Sequence, residues 1–188
     1  MNYTDEIKKY LNLEIEVIKS LNVDAINSIM NEIKASQERG SIVYICGNGG
    51  SHATASHFCC DFNKGVSGGQ EKNTNFICLS DNVPTITAIA NDLSYDDIFS
   101  YQLKNRLKPG DIVFVISGSG NSINIVKAME IAKEKGNKII GLCGYQGGKV
   151  KEMSDICVHV NVNNMQITED IHMILDHLMM FVLSGYQL

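Results

Sequence analysis

Val43 to Asp61, VYICGNGGSHATASHFCCD, reads as a short buried strand, a glycine turn and then a helix. Val43, Tyr44, Ile45 and Cys46 form the apolar run, and Gly47, Asn48, Gly49 and Gly50 supply backbone angles that other residues resist. Ser51 is expected to cap the helix that follows. A helix that starts after such a turn presents unpaired N–H groups and a positive dipole end, which suits an anion such as a phosphate. On the same helix His57 and Asp61 stand four residues apart and share a face. One segment thus offers an anion cradle and, about two turns further on, a polar pair suited to metal or proton chemistry.

Upstream, Thr4 to Leu21 opens with a capping residue and two acids and carries Ile7, Leu11, Ile15 and Ile18 at helical spacing. A second helix carries Ile26, Ile29, Met30 and Ile33 and ends at Gly40. Both are amphipathic, a pattern that serves equally to cover a sheet or to meet another subunit. Downstream, the polar stretch from Asp61 to Asn75 reads as a loop and Phe76 to Leu79 as a second strand. Pro84 to Ala90 and Tyr95 to Leu107 read as helices separated by Asn91 and Asp92, and Pro109-Gly110 as a turn. Asp111 to Ile116 is a third strand, apolar enough to be buried on both faces. SGSGNS, Ser117 to Ser122, leads into a helix through Ile125, Ala128, Met129 and Ala132 to Gly136. Lys138 to Cys143 and Ile156 to Val160 are strands four and five, and Met165 to Leu183 is a closing helix.

Strands alternating with helices predict an α/β fold, a doubly wound five-stranded parallel sheet with helices on both faces. In the order 2-1-3-4-5 the connections leaving strands one and three depart in opposite directions, opening a crevice at their carboxyl ends. Both serine- and glycine-rich turns then line one pocket. With 188 residues, no repeat and no linker, a single domain is expected.

The formal charge of −5, without a lysine or arginine run, leaves no electrostatic footprint for nucleic acid or an anionic membrane, and both are set aside as partners. The six cysteines form no CxxC and no disulfide framework, and read as small packing residues in a reducing compartment. MNYTDEIKKY lacks the apolar stretch of a signal peptide, and no run approaches the roughly 20 apolar residues of a membrane span; a cytoplasmic protein is expected.

SGSGNS gathers three hydroxyls and two glycines at a helix start, a dense set of donors for phosphate oxygens. A plain strand-to-helix turn also uses serine as cap and glycine as bend, and GNGGS alone is a weak signal. Together at one switch point they argue for a phosphorylated small molecule. No lysine follows the glycines and neither turn is GxGxxG, which disfavours a nucleotide. His57 and Asp61 in isolation would be an ordinary solvated pair. The closing helix changes that, because TEDIHMILDH carries Glu169, Asp170, His172, Asp176 and His177 among apolar residues. Either Glu169 or Asp170 is near enough in helical angle to His177 to share its face. Two helices each bearing a histidine and a carboxylate can close a tetrahedral Zn²⁺ site, and the same groups serve equally as base and acid. His52 is a candidate pocket lining, His159 and His172 read as structural, and Cys59 and Cys60 as packing.

GNGGSHATASHF, IANDLSYDDIFSYQL, GDIVFVISGSGNS and TEDIHMILDH, in that order, resemble the phosphoheptose isomerases of the sugar-isomerase (SIS) superfamily. The resemblance runs from about Gly40 to His177. It implies a flavodoxin-like fold, a single SIS domain over 1–188 with a helical N-terminal extension over 1–39 as an oligomer contact, and a homotetramer. It also implies conversion of sedoheptulose 7-phosphate to a heptose 7-phosphate for surface polysaccharide. By the same resemblance Asn48, Gly49, Gly50 and Ser51, Asn91 and Asp92, and Ser117, Gly118, Ser119 and Ser122 would hold the sugar phosphate, with Glu169 also on the substrate. His57, Asp61, Glu169 and His177 would hold a zinc ion, and Asp61 and His177 would be general base and general acid. A non-catalytic SIS protein that binds a sugar phosphate or a protein, and an isomerase of another phosphosugar, are the alternatives.

The chain departs from the family pattern in several places. The usual glutamate is Asp61, the usual glutamine is Glu169, STSGNS is SGSGNS, and an arginine expected after the first metal helix is absent, with Lys64-Gly65 in that region. A shorter carboxylate can set a base about an ångström too far away, on the order of 100-fold in rate. Glutamate for glutamine adds a charge, so that two histidines and two carboxylates neutralise Zn²⁺ and should bind it more tightly.

Overall fold

The computed structural model describes residues 1–186. Its centre is a five-stranded, all-parallel sheet in the order β2-β1-β3-β4-β5. The strands are β1 (Val43–Cys46), β2 (Phe76–Cys78), β3 (Ile112–Ser117), β4 (Lys138–Cys143) and β5 (Ile156–His159). The helices are α1 (Thr4–Lys19), α2 (Val23–Arg39), α3 (Gly50–Cys60), α4 (Val83–Asp92), α5 (Ser100–Arg106), α6 (Ile123–Glu134), α7 (Gly148–Met153) and α8 (Met165–Leu183). The predicted strand order and the bounds of the closing helix are those observed.

β3 is buried along its whole length, and its period-two alternation divides the core. Ile112, Phe114 and Ile116 join β1's Val43 and Ile45 in one layer under α2, α3 and α8, where Ile29, Ile33, Phe58, Ile171 and Leu175 are fully buried. Val113 and Val115 face the opposite layer with Tyr44 and Cys46, under α5 and α6 through Leu103, Ile125, Ala128 and Met129. Fully burying side chains of this size stabilises by about 1.5–3 kcal/mol each, so two such layers fix which face each helix takes.

Three local expectations are corrected. Ser51 is not the cap of α3: the chain turns at Gly49, in the left-handed region at φ +55°, the helix begins at Gly50, and Ser51 lies inside the first turn. The stretch after Asp61 does not start as a loop, because Asp61–Val66 continues α3 as a π-helical turn. The cause is long-range. Asn63 brackets Phe76, donating to its carbonyl and accepting from its N–H at 2.8 Å each, while Phe62 stacks on Phe58 and packs against Phe76. The expected helix from Tyr95 to Leu107 is a 3-10 turn, Tyr95–Asp97, followed by α5.

Candidate active site

The turns after β1 and β3 meet at the carboxyl ends of adjacent strands and line one cavity. Asn48, Ser51, Ser117, Gly118, Ser119, Ser122 and Glu169 are in its wall, with Ile116 and Met165 as its apolar parts. Gly120, at φ +68°, shapes the second turn; a Cβ there would strike the Gly147 carbonyl. The Ser117 hydroxyl accepts from the Gly120 N–H and the Ser119 hydroxyl from the Asn121 N–H, both at 3.2 Å. Ser122 is the N-cap residue of α6, yet its hydroxyl makes no capping bond. That hydroxyl and the first N–H groups of α6 are left for an anion.

Asn48 is held in place by residues that sequence reasoning missed. It donates to Asn124 at 2.9 Å and accepts from Asn124 and from the Tyr95 hydroxyl at 3.0 Å each. Asn124 is buried on the same side of α6 as Ile125, Ala128 and Met129. A polar residue inside an apolar stripe is the signal that could have found it.

Glu169 rests against the amino end of α3, where a Cβ on Gly50 would collide with its carboxylate. A carboxylate therefore already faces that positive helix end. Asn91 and Asp92 are exposed at the end of α4 and bond to each other, and Asp92 lines a separate groove with Thr85, Ala88, Ile89, Leu93 and Tyr101.

About two turns along α3 from Gly50, a second constellation forms where α3 and α8 pack side by side. His57, Asp61, Asp176 and His177 each point one ligand atom into a space where all four lie within 4.8 Å of one another. His57 Nε2 is 3.5 Å from Asp61 Oδ2 and 3.9 Å from Asp176 Oδ2. Of the expected ligand set, the structure brings together His57, Asp61 and His177. Asp176 supplies the fourth ligand atom of this group, and Glu169 lies at the other end of the same helix face, against Gly50. Asp170, the alternative partner of His177, instead accepts from the Tyr10 hydroxyl of α1, a bond that pushes this phenol up to about 12.

Asp176 is fully buried, and neither of its oxygens, nor Asp61 Oδ2, meets a hydrogen-bond donor. Burial, and secondarily the Asp61 charge, push the Asp176 carboxyl up to about 8. Unpartnered buried carboxylate oxygens beside two imidazoles are what a divalent cation relieves, so the residues present fit the zinc expected here. His172, one turn before Asp176, is also fully buried, and burial pushes it down to about 4 against a weaker opposing pull from the Cys143 backbone. His159 bonds to Lys151 and to the Tyr145 carbonyl, as structural residues do. His52 does not line the cavity; it turns to Asp81 at 3.3 Å.

The SIS domain family model matches residues 2–144. The chain is 37% identical over 155 residues to a phosphoheptose isomerase of Rhodospirillum rubrum, covering 82% of each chain. It is 36% identical over 173 residues to a probable phosphoheptose isomerase of Thermoplasma acidophilum, covering 92% of this chain and 94% of that one. Among solved structures, a phosphoheptose isomerase from Francisella tularensis superposes with a TM-score of 0.89 at 29% identity over 98% of this chain and all of that one. The phosphoheptose isomerase GmhA from Neisseria gonorrhoeae does so with the same score and coverage at 25% identity. The serine-walled cavity and the histidine–carboxylate cluster thus sit on a shared architecture, and the chain belongs to the phosphoheptose isomerase family of SIS-domain proteins.

Proposed function

We propose that this chain is an aldose–ketose isomerase that converts sedoheptulose 7-phosphate to D-glycero-D-manno-heptose 7-phosphate, a sugar used in surface polysaccharide. One observation carries the reading: α3 and α8 run together from a serine-walled cavity to a two-histidine, two-carboxylate cluster. Gly50 to His57 and Glu169 to His177 each span roughly 10–12 Å at the helical rise per residue, the scale of an extended sugar phosphate.

Ser117, Ser119, Ser122 and the amino end of α6 hold the phosphate, because the Glu169 carboxylate already occupies the amino end of α3 and would repel it there. Glu169 accepts from sugar hydroxyls instead, and Asn48, fixed by Asn124 and Tyr95, orients the chain of the sugar. Gripping the remote phosphate converts binding energy into placement at the reacting end. There a proton leaves the carbon beside the carbonyl, an enediol forms, and a proton returns to the neighbouring carbon. Asp61, whose side chain keeps 15% exposure, is the base; Asp176, at 0%, is sealed from any substrate. His177, exposed at the mouth, is the general acid. His57, His177, Asp61 and Asp176 would hold zinc, which when bound would supply Lewis-acid polarisation of a carbonyl; because the ion would engage the same atoms of Asp61 and His177, zinc binding and proton transfer by these two residues are alternatives.

The apolar stripe of α1, with Ile7, Leu11, Ile15 and Ile18 between 41% and 56% exposed, supports a homotetramer in which a second copy of this chain covers it. The six cysteines are all free, which supports a reducing, cytoplasmic setting, and among the described residues no helix is long and apolar enough to cross a membrane.

The test is to incubate purified protein with sedoheptulose 7-phosphate and several other ketose phosphates, with and without zinc, and to follow aldose formation by NMR. Conversion of the heptulose is expected. Conversion of a different ketose alone would reassign the substrate, and none with any of them would remove the isomerase reading.

A further inference from the structure

A second group of metal-ligand atoms lies on the other flank of α3. A ring nitrogen of His52, Cys78 Sγ and an Asp81 carboxylate oxygen all fall within 4.8 Å of one another. His52 comes from the first turn of α3, Cys78 from the carboxyl end of β2, and Asp81 from the connection to α4. His52 and His57 are five residues apart, roughly 140° around the helix, so the two groups face different neighbours. Nothing in the isomerase chemistry uses these three side chains.

We propose that His52, Cys78 and Asp81 form a second divalent-cation site, one that takes Zn²⁺ or a similar thiolate-tolerant ion with solvent in the fourth position. The donor types decide the class of ion. One imidazole nitrogen, one sulfur and one carboxylate oxygen suit zinc, whereas magnesium and calcium require an oxygen cage. Geometry agrees: bonds of about 2.0–2.3 Å to a tetrahedral ion put ligand atoms roughly 3.3–3.8 Å apart. His52 and Asp81 already stand at 3.3 Å. Cys78 Sγ lies within 4.8 Å of both, so a closure of at most about an ångström at the sulfur completes the site. On binding, the Cys78 thiol proton passes to solvent and a sulfur–metal bond forms. The ion then ties the end of β2 to the helix whose first turn frames the phosphosugar cavity. It stiffens the cradle without touching substrate.

Cobalt(II) separates this site from the histidine–carboxylate cluster, which contains no sulfur. Reduced, chelator-stripped protein is titrated with Co²⁺ and the near-ultraviolet thiolate-to-cobalt charge-transfer absorption is recorded, with circular dichroism confirming the fold. The band is expected in the unmodified chain and in a His57→Ala, His177→Ala double variant, and is expected to vanish in Cys78→Ser. His52→Ala and Asp81→Asn alter side chains that are 37% and 47% exposed, so they keep the fold and should weaken Co²⁺ binding on the order of tenfold or more. If Cys78→Ser does not fold, these two variants decide alone. Absence of the band in folded, unmodified protein would overturn the site. So would a band of unchanged affinity in Cys78→Ser, or in both His52→Ala and Asp81→Asn.

Discussion

His57 Nε2 and His177 Nε2 face each other at 3.1 Å, with the rings edge to face and their centroids 5.1 Å apart. Two neutral imidazoles in this pose share one proton between them, and two protonated ones repel. A cation between them satisfies both, with Asp61 and Asp176 closing the shell. Removing either histidine should therefore lower zinc affinity at least a hundredfold, read by competition with a chromophoric chelator. Added zinc should stabilise the stripped protein by about 2.7 kcal/mol at a hundred times its Kd, and should no longer do so through this cluster in His57→Ala. Unchanged affinity in both single variants would show that the cluster is not a metal site.

Asp61 carries the proton-transfer reading, because it is the only carboxylate of the cluster with any exposure. Asp61→Asn should lower kcat by roughly 10² to 10⁴ while leaving KM for the sugar phosphate within a few fold. A rise in KM with kcat intact would move Asp61 from chemistry to binding.

Ser122 and Ser117 make a contrast within one turn. The Ser122 hydroxyl caps nothing, so Ser122→Ala should leave stability within about 0.5 kcal/mol and raise KM about tenfold through loss of a charge-assisted bond to phosphate. Ser117 also accepts from Gly120, so Ser117→Ala should show the KM effect together with a measurable loss in urea midpoint. Equal and unaltered KM values in both would place the phosphate elsewhere.

Much of this was readable from residue order. The apolar runs bounded by glycine, with serine turns after strands one and three, are local signals, and they led to the observed sheet order and cavity. What could not be read depends on contacts between distant segments. Glu169 and Asp170 are equivalent by helical angle until Tyr10, 160 residues away in sequence, claims Asp170 and Gly50 receives Glu169. Asp176 looks like any polar residue beside His177 until α3 packs over it and seals it with Asp61. The π-helical turn at Asp61 is set by Asn63 reaching Phe76, a bond no periodicity reports.

His172 gives the fold a pH dependence with a definite sign. Its folded value, about 4, lies below the ordinary 6.5, so the native state binds its proton later than the unfolded chain does. Its contribution is intact above pH 6.5 and is lost as pH falls from 6.5 towards 4, about 3 kcal/mol in all. His172→Leu, which keeps an apolar side chain of similar size, should lose less urea stability than the unmodified chain between pH 7.5 and 4.5. Parallel losses in the two proteins would mean that His172 is not buried neutral.

The exposed stripe of α1 sets the last expectation. Ile7, Leu11, Ile15 and Ile18 recur at helical spacing and are 56%, 50%, 48% and 41% exposed, while Val17 alone on that helix is buried. Within one chain α1 is held to α8 by the Tyr10–Asp170 bond, which positions the stripe and leaves about half of each of its side chains exposed. Burying the exposed half of each side chain stabilises by about 1 kcal/mol, and a closed symmetric assembly repeats that gain in every copy. Leu11→Lys with Ile15→Lys places two charges in that contact, each costly without a partner. In sedimentation velocity the unmodified chain should run as a tetramer and the double variant as a smaller species, its circular dichroism unchanged. A monomeric unmodified chain, or a double variant that remains tetrameric, would assign the stripe no part in assembly.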